Sequence, residues 1–282
     1  MTPDFSVYST YIPLLFSLIL VWTDFSVKER FPVWLLFLML SFISAIFFNY
    51  AEIESLLYAA VFALVIKQYY KTGLWVYFFV FLCMCLPLLM HLQFIGFHNY
   101  KYLDRVRVTE NALPFSLYFN LDKALIGLFV LGFACSKTRF KINLKIVMLY
   151  LLIMCAVLLG LALAFSYVLW QPKLPPYTLV WALVNLFGVS LVEEALFRKF
   201  IQNAIGDMLP GRHAKWMVLV LSSIVFGLAH FQGGVVYVLL ATVAGLFYGH
   251  IFMKTQRIEN AIVLHFLFNL LHFIGFTYPA IG

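Results

Sequence analysis

The chain has 282 residues, 64% of them hydrophobic and only 11% charged, with a mean hydropathy of +0.97. Soluble domains carry about a quarter charged residues, so a chain with less than half of that has too little polar surface to cover itself in water. Soluble, disordered, fibrous and disulfide-scaffold classes are excluded, an all-α polytopic membrane bundle is expected, and the net charge of +7 reads as cytoplasmic loop charge, not as a nucleic-acid footprint.

The first ten residues, MTPDFSVYST, lack the basic region and small-residue cleavage site of a signal peptide, so the first apolar stretch is expected to stay in the mature protein. About twenty apolar residues cross a hydrocarbon core of roughly 30 Å. On that ruler the chain divides into about ten segments, at 5–22, 32–50, 53–70, 73–97, 115–135, 145–170, 177–206, 214–230, 233–253 and 258–277. A stricter reading omits the third, flanked by Glu52 and Glu54, and the fifth, which contains Asp122 and Lys123, leaving eight.

Basic residues are retained on the cytoplasmic side, and they alternate along the loops. With the N-terminus outside, the inner loops hold Lys28, Arg30, Lys67, Lys71, Lys137, Arg139, Lys141, Lys145, Lys199, Arg212, Lys215, Lys254 and Arg257. The outer loops hold only Lys101, Arg105, Arg107 and Lys173. This pattern predicts a multi-pass integral membrane protein, of the cell (inner) membrane in a prokaryotic host, with both termini non-cytoplasmic. The basic stretch from His98 to Pro114 departs from it and reads as a surface helix or a re-entrant segment. Repeats, low-complexity tracts and domain linkers are not found. Cys83, Cys85, Cys135 and Cys155 lie inside apolar runs without a C-x-x-C pair and read as small buried side chains. No C-terminal lipidation box is present.

An ionisable residue inside a membrane segment costs about 2.5–3.5 kcal/mol on insertion scales and needs a reason to be there. The last four segments hold most of them. Segment seven contains LVEEALFRKF, with Glu193, Glu194 and Arg198; segment eight ends in FGLAHF, with His230 four residues after Phe226; the last reads IVLHFLFNLLHF, with His265 and Asn269. Glu194 and Arg198 are four apart and share a helix face, so they can pair. Glu193 points about 100° away and has no cation on its own helix. His265 and Asn269, also four apart, project together. At ~1.5 Å per residue from the cytoplasmic ends, Glu193 lies ~20 Å deep, His230 ~24 Å, His265 ~10 Å and Asn269 ~16 Å, all in the interior.

The set Glu193-Glu194-x-x-x-Arg198, Phe226-x-x-x-His230 and His265-x-x-x-Asn269, on three apolar helices in order, resembles the signature of the CAAX protease and bacteriocin-processing family of intramembrane glutamic endopeptidases, which includes the type II CAAX prenyl endopeptidases. Ala244-Gly245-x-x-x-Gly249 resembles the family's remaining motif. The resemblance covers residues 177–277, read as the catalytic membrane core; residues 1–170 are N-terminal helices of unassigned role. It implies that Glu193 and His230 hold and activate a water while His265 and Asn269 stabilise the oxyanion. Glu194 and Arg198 would then be structural, fixing the helix and the orientation of Glu193, with Phe226, Gly245 and Gly249 supporting the packing. No metal or cofactor is implied. The expected partners are a peptide or protein substrate at the membrane and the bilayer itself, without nucleic acid.

Two other functions compete. Glu193 or Glu194 with His230 and His265 could supply three zinc ligands and leave a position for water, although no H-E-x-x-H occurs. A non-catalytic transporter or immunity protein could use the same polar site, although the broken helices a transporter would show in both halves are not seen. His91, His98, His213, His250 and His272 match no motif and read as packing or interfacial residues. Since an unsolvated, unpaired glutamate would stay protonated, the four site residues are expected to line a polar cavity, opening to the cytoplasmic side near Arg198.

Overall fold

Backbone polar groups in hydrocarbon can be satisfied only within the chain, which leaves the helix as the default for apolar runs. The computed structural model describes residues 4–22, 26–27, 31–134, 140–209, 211 and 214–282. Lys28, Arg30, Cys135, Lys137, Arg139, Arg212 and His213, which entered the sequence reading, lie outside the described residues. The described helices are α1 (Phe5–Leu20), α2 (Val33–Phe47), α3 (Ile53–Thr72), α4 (Trp75–Leu89), α5 (Leu121–Ala134), α6 (Leu144–Ala164), α7 (Thr178–Met208), α8 (Ala214–Leu228), α9 (Gly234–Thr255) and α10 (Ile258–Gly275).

By length and composition, α6, α7, α9 with the turn before it, and α10 can cross a membrane. Helices α1, α2, α4 and α8 are apolar but have only 15 or 16 residues, about 24 Å at most, short of a full hydrocarbon core. Four spans are therefore supported, and the integral membrane character of the chain rests on them.

Two expectations are corrected. The basic stretch 98–114 is not a surface helix, and 115–135 is not one helix. Strand β3 (Tyr100–Val106) pairs with β4 (Phe115–Phe119), and α5 begins only at Leu121. Aromatic and β-branched residues favour strands, and Pro114 together with the Asn120–Asp122 cluster confines the α5 helix to the C-terminal part of the segment. A second, shorter pairing joins β1 (Ser26–Val27) to β2 (Phe31–Pro32) antiparallel. The described residues are thus mostly helical, in keeping with an all-α bundle, and add two short strand pairings.

The chain divides into two units, residues 1–102 with 117–140 and residues 103–116 with 141–282. In the first, α1 and α2 meet along a stripe of small hydroxyl residues. Ser17 donates to the Trp34 carbonyl and Ser41 to that of Thr10, both at 2.8 Å. Such residues allow close approach and bond across helices without exposing a polar group to lipid. Phe62 stacks on Phe81 at 4.5 Å. Asp122, unassigned from sequence, is fully buried and pairs with His91 at 2.8 Å.

In the second unit, α8 and α9 pack at van der Waals limits. A Cβ at Gly227 would collide with the Thr242 hydroxyl and lie 2.7 Å from the Val238 carbonyl oxygen. One at Gly245 would lie 3.1 Å from Ser223 Cα, and one at Gly249 2.6 Å from Leu219 Cδ1. The start of α10 is tied to the segment before α6, where Glu259 accepts the Lys141 N–H and Asn260 the Asn143 N–H. The end of α10 is closed by the loop before α7: Lys173 donates its ammonium to the Phe276 carbonyl, and its N–H to Ile274.

The crowding at Gly227 has a measurable consequence. Gly227→Ala should lower the thermal midpoint of the purified protein through overpacking of about 1–3 kcal/mol. Gly160→Ala in α6, where a Cβ meets nothing within 4 Å, should leave it unchanged or raise it through helix propensity. Equal midpoints for the two variants would contradict the packing described.

Desolvation lowers the Lys173 ammonium to about 8. Between that value and the ordinary lysine value near 10.4, the unfolded chain binds the proton and the folded one does not, so the contribution of Lys173 to stability rises with pH across this window. Thermal midpoints of wild type and Lys173→Met should therefore converge as pH is raised from 8 toward 10, if the charge is what separates them.

Candidate active site

Helix α7 carries Glu193, Glu194 and Arg198 within an apolar run, and it is not regular. Two π-helical stretches, Val184–Ser190 and Ala195–Gln202, flank a single α-helical turn, Leu191–Glu194, that holds both glutamates. Widened turns of this kind concentrate at functional sites because they rotate side chains out of the usual register. Glu193 retains 8% of its exposure, and Glu194 and Arg198 none.

Glu194 uses both carboxylate oxygens. Arg198 Nε donates to Oε2 at 3.0 Å, and His265 Nδ1 donates to Oε1 at 2.8 Å. The expected i, i+4 pair is present, but Glu194 orients His265 on α10 instead of orienting Glu193. The cross-helix partner was illegible from spacing on one helix. The His265 ring is further held by Tyr248 of α9, stacked at 4.4 Å and 13°. Tyr248 belongs to no motif identified in the sequence, and only its spacing of three from Gly245 places it on that face.

His230 is not mid-helix. It follows the end of α8 and caps the short turn Phe231–Gly233. Its Nδ1 donates to the Phe226 carbonyl at 2.7 Å, so in the neutral ring Nε2 carries the lone pair. That nitrogen lies 3.7 Å from Glu193 Oε2. Phe226 stands between the two histidines, 4.7 Å from the His230 ring and 6.1 Å from that of His265, and the Arg198 guanidinium lies 5.0 Å from its centroid. This places a cation over an aromatic face, a favourable arrangement in a desolvated site.

Asn269 Nδ2 donates to Asn185 Oδ1 at 3.3 Å, and the Ser190 hydroxyl donates to the same oxygen at 3.3 Å. Neither Asn185 nor Ser190 was singled out in the sequence. Seven residues therefore fall into three contacts that share helices: Glu193 with His230; Glu194 with Arg198 and His265; Asn269 with Asn185. Gly249 backs the second, since a Cβ there would lie 3.4 Å from Arg198 Nη1 and 2.8 Å from Gln202 Oε1, and Gly245 abuts Ser223.

Arg198 is wholly buried, and a cavity of about 350 Å³ at that end of α7 is lined by Gln202, Asp207, Lys215 and neighbours but by none of Glu193, His230, His265 or Asn269. His230 is 19% exposed, beside the turn Phe231–Gly233 and the exposed Val235 at the start of α9. Among the described residues, no three His, Cys, Asp or Glu side chains form a group that could hold a metal ion. Of the remaining histidines, His250 bonds Tyr150 at 2.9 Å, His272 donates to the Thr277 carbonyl at 3.1 Å, and His98 pairs with Glu52 at 2.7 Å.

A helical membrane protein with acid, histidine and amide groups converging from three apolar helices is the class defined by these contacts. Residues 175–271, about a third of the chain, match the family model described as type II CAAX prenyl endopeptidase Rce1-like. Comparison with curated proteins and with solved structures gave no match.

Removing one partner of a buried ionic cluster leaves the other charges uncompensated, at a cost of about 3–5 kcal/mol. Glu194→Ala should accordingly lower the thermal midpoint far more than Glu193→Gln, which leaves the Glu194 contacts of Arg198 and His265 in place. A Glu194→Ala protein as stable as wild type would show that the cluster is not structural.

Proposed function

We propose that the protein is an intramembrane endopeptidase that hydrolyses a peptide bond of a membrane-associated peptide or protein, with residues 177–277 as its catalytic core. The observation that carries this reading is the Glu193–His230 approach at 3.7 Å within the segment that matches the protease family. With Nδ1–H of His230 committed to a carbonyl, Nε2 and the Glu193 carboxylate are both acceptors. A water about 2.8 Å from each closes a triangle on that base and donates one proton to either side. Its oxygen lone pairs then face the substrate.

The reaction follows from that placement. The water oxygen attacks the scissile carbonyl as its proton passes to Glu193 or His230, and the carbonyl oxygen takes the negative charge. The same proton is delivered to the departing amine when the carbon–nitrogen bond breaks, so the net change is one water added to one peptide bond. His265 and Asn269 stabilise the oxyanion. Since His265 Nδ1–H is held by Glu194, donation by Nε2 requires the doubly protonated ring; its charge, with Arg198, then balances Glu193 and Glu194 in a site where net charge is costly. Asn269 donates without titrating, which suits a water-poor site. The protein does this without a metal in the present reading, and Glu194 has both oxygens occupied by Arg198 and His265.

The substrate class follows the family description: a peptide presented at the membrane by a lipid-modified C-terminus is the first to test. It enters from the end of the bundle carrying the Phe231–Gly233 turn, whose exposed apolar residues face lipid. The experiment uses purified protein in proteoliposomes and a farnesylated fluorogenic C-terminal peptide, with parallel comparison of intact and processed membrane proteins. Glu193→Gln and His230→Ala should each lose about 10²-fold or more in cleavage rate while keeping wild-type insertion and thermal midpoint. Near-normal cleavage by Glu193→Gln would overturn the assignment. Cleavage should also survive a strong chelator; loss that zinc restores would replace the water-activating pair by a metal site.

A further inference from the structure

We propose that Asn185 is a positioning residue that aims the Asn269 carboxamide at the reacting carbonyl, with Ser190 holding Asn185 in turn. The proposal rests on the oxyanion role given to Asn269 above. A carboxamide is nearly symmetric in shape but opposite in polarity at its two ends. If Asn269 turned over, its oxygen would face the developing negative charge and oppose the reaction. Nothing along α10 prevents that rotation: His265, one turn away, is bonded to Glu194.

Asn185 supplies the restraint. Its Oδ1 only accepts, so it selects the amino end of Asn269, which donates one Nδ2 proton at 3.3 Å and keeps the second for the substrate. The Ser190 hydroxyl donates to the same Oδ1 at 3.3 Å and tethers the Asn185 carboxamide at its place beside Asn269. Asn185 is 6% exposed and Ser190 fully buried, so water does not substitute for either contact. The arrangement depends on the π-helical turn Val184–Ser190. In a regular α-helix, residues five apart are rotated by about 140° and face different ways. In a π turn they align, so the Ser190 hydroxyl reaches the side chain five residues earlier. At 3.3 Å both bonds are long for their kind, which fits a role in orientation more than in holding the helices together.

The test is a double-mutant cycle on cleavage of the farnesylated peptide, with thermal midpoints measured in parallel. Asn269→Ala should lose about 10²-fold in kcat, as expected for an oxyanion donor. Asn185→Ala should lose about tenfold in kcat with KM nearly unchanged, and the double variant should be no slower than Asn269→Ala alone. Ser190→Ala is the milder second variant, its smaller loss also vanishing in the Asn269→Ala background. If the losses multiply, or Asn185→Ala cleaves at the wild-type rate while Asn269→Ala is slow, Asn185 is a structural residue and the proposal fails. Should Asn269→Ala itself cleave normally, the oxyanion role fails first, and the proposal with it.

Discussion

Every other feature of the polar core depends on one buried carboxylate. Glu194, with no exposed surface, is shared between Arg198 on its own helix and His265 on α10. An isolated charge at such a place would be expelled or neutralised, so the guanidinium and the imidazole are conditions for the glutamate, and the glutamate for them. The pairing commits α7 to α10. Through the Phe226 ring, which touches Arg198, His230 and His265, it commits both to α8. The neighbouring Glu193 is thereby delivered to His230 although no hydrogen bond between those two is needed to build the fold.

In the function proposed, the two glutamates, adjacent in sequence, divide between stability and chemistry. The division follows from the roughly 100° that separates neighbours on a helix: only one can face the Arg198 side. The other faces the less buried edge, where His230 leaves the end of α8. A residue beyond a helix end is held by fewer neighbours than one within it, and the Nδ1 bond to the Phe226 carbonyl supplies the missing restraint. It also decides which nitrogen faces Glu193.

How much of this was legible in the sequence depends on the range of the interaction. The Glu194–Arg198 pair lies four apart on one helix, and helical spacing is enough to read it. The Glu194–His265 bond spans 71 residues, and no periodicity on either helix can show it. Asn185 and Ser190 were missed because spacing was judged on a regular helix, while α7 is widened on both sides of the glutamates. The β3–β4 hairpin was missed for a related reason: a ruler that counts apolar residues cannot tell a strand of aromatics from the start of a span. The burial of Asp122 against His91 was equally out of reach, since the two meet only after α4 and α5 have formed.

The uneven packing around the site follows from the same physics as the cluster. Around Arg198, α7, α8 and α9 are drawn together by glycines and serines, with Gly249 against Leu219 and Gln202 and Gly245 against Ser223. Close approach there is what lets a guanidinium be buried. At the other end the chain turns at Phe231–Gly233, α8 has already ended, and the packing loosens enough to leave His230 partly exposed. The hydrolysis proposed needs charges desolvated and water admitted; the fully buried Glu194 and the partly exposed His230 lie on either side of Glu193.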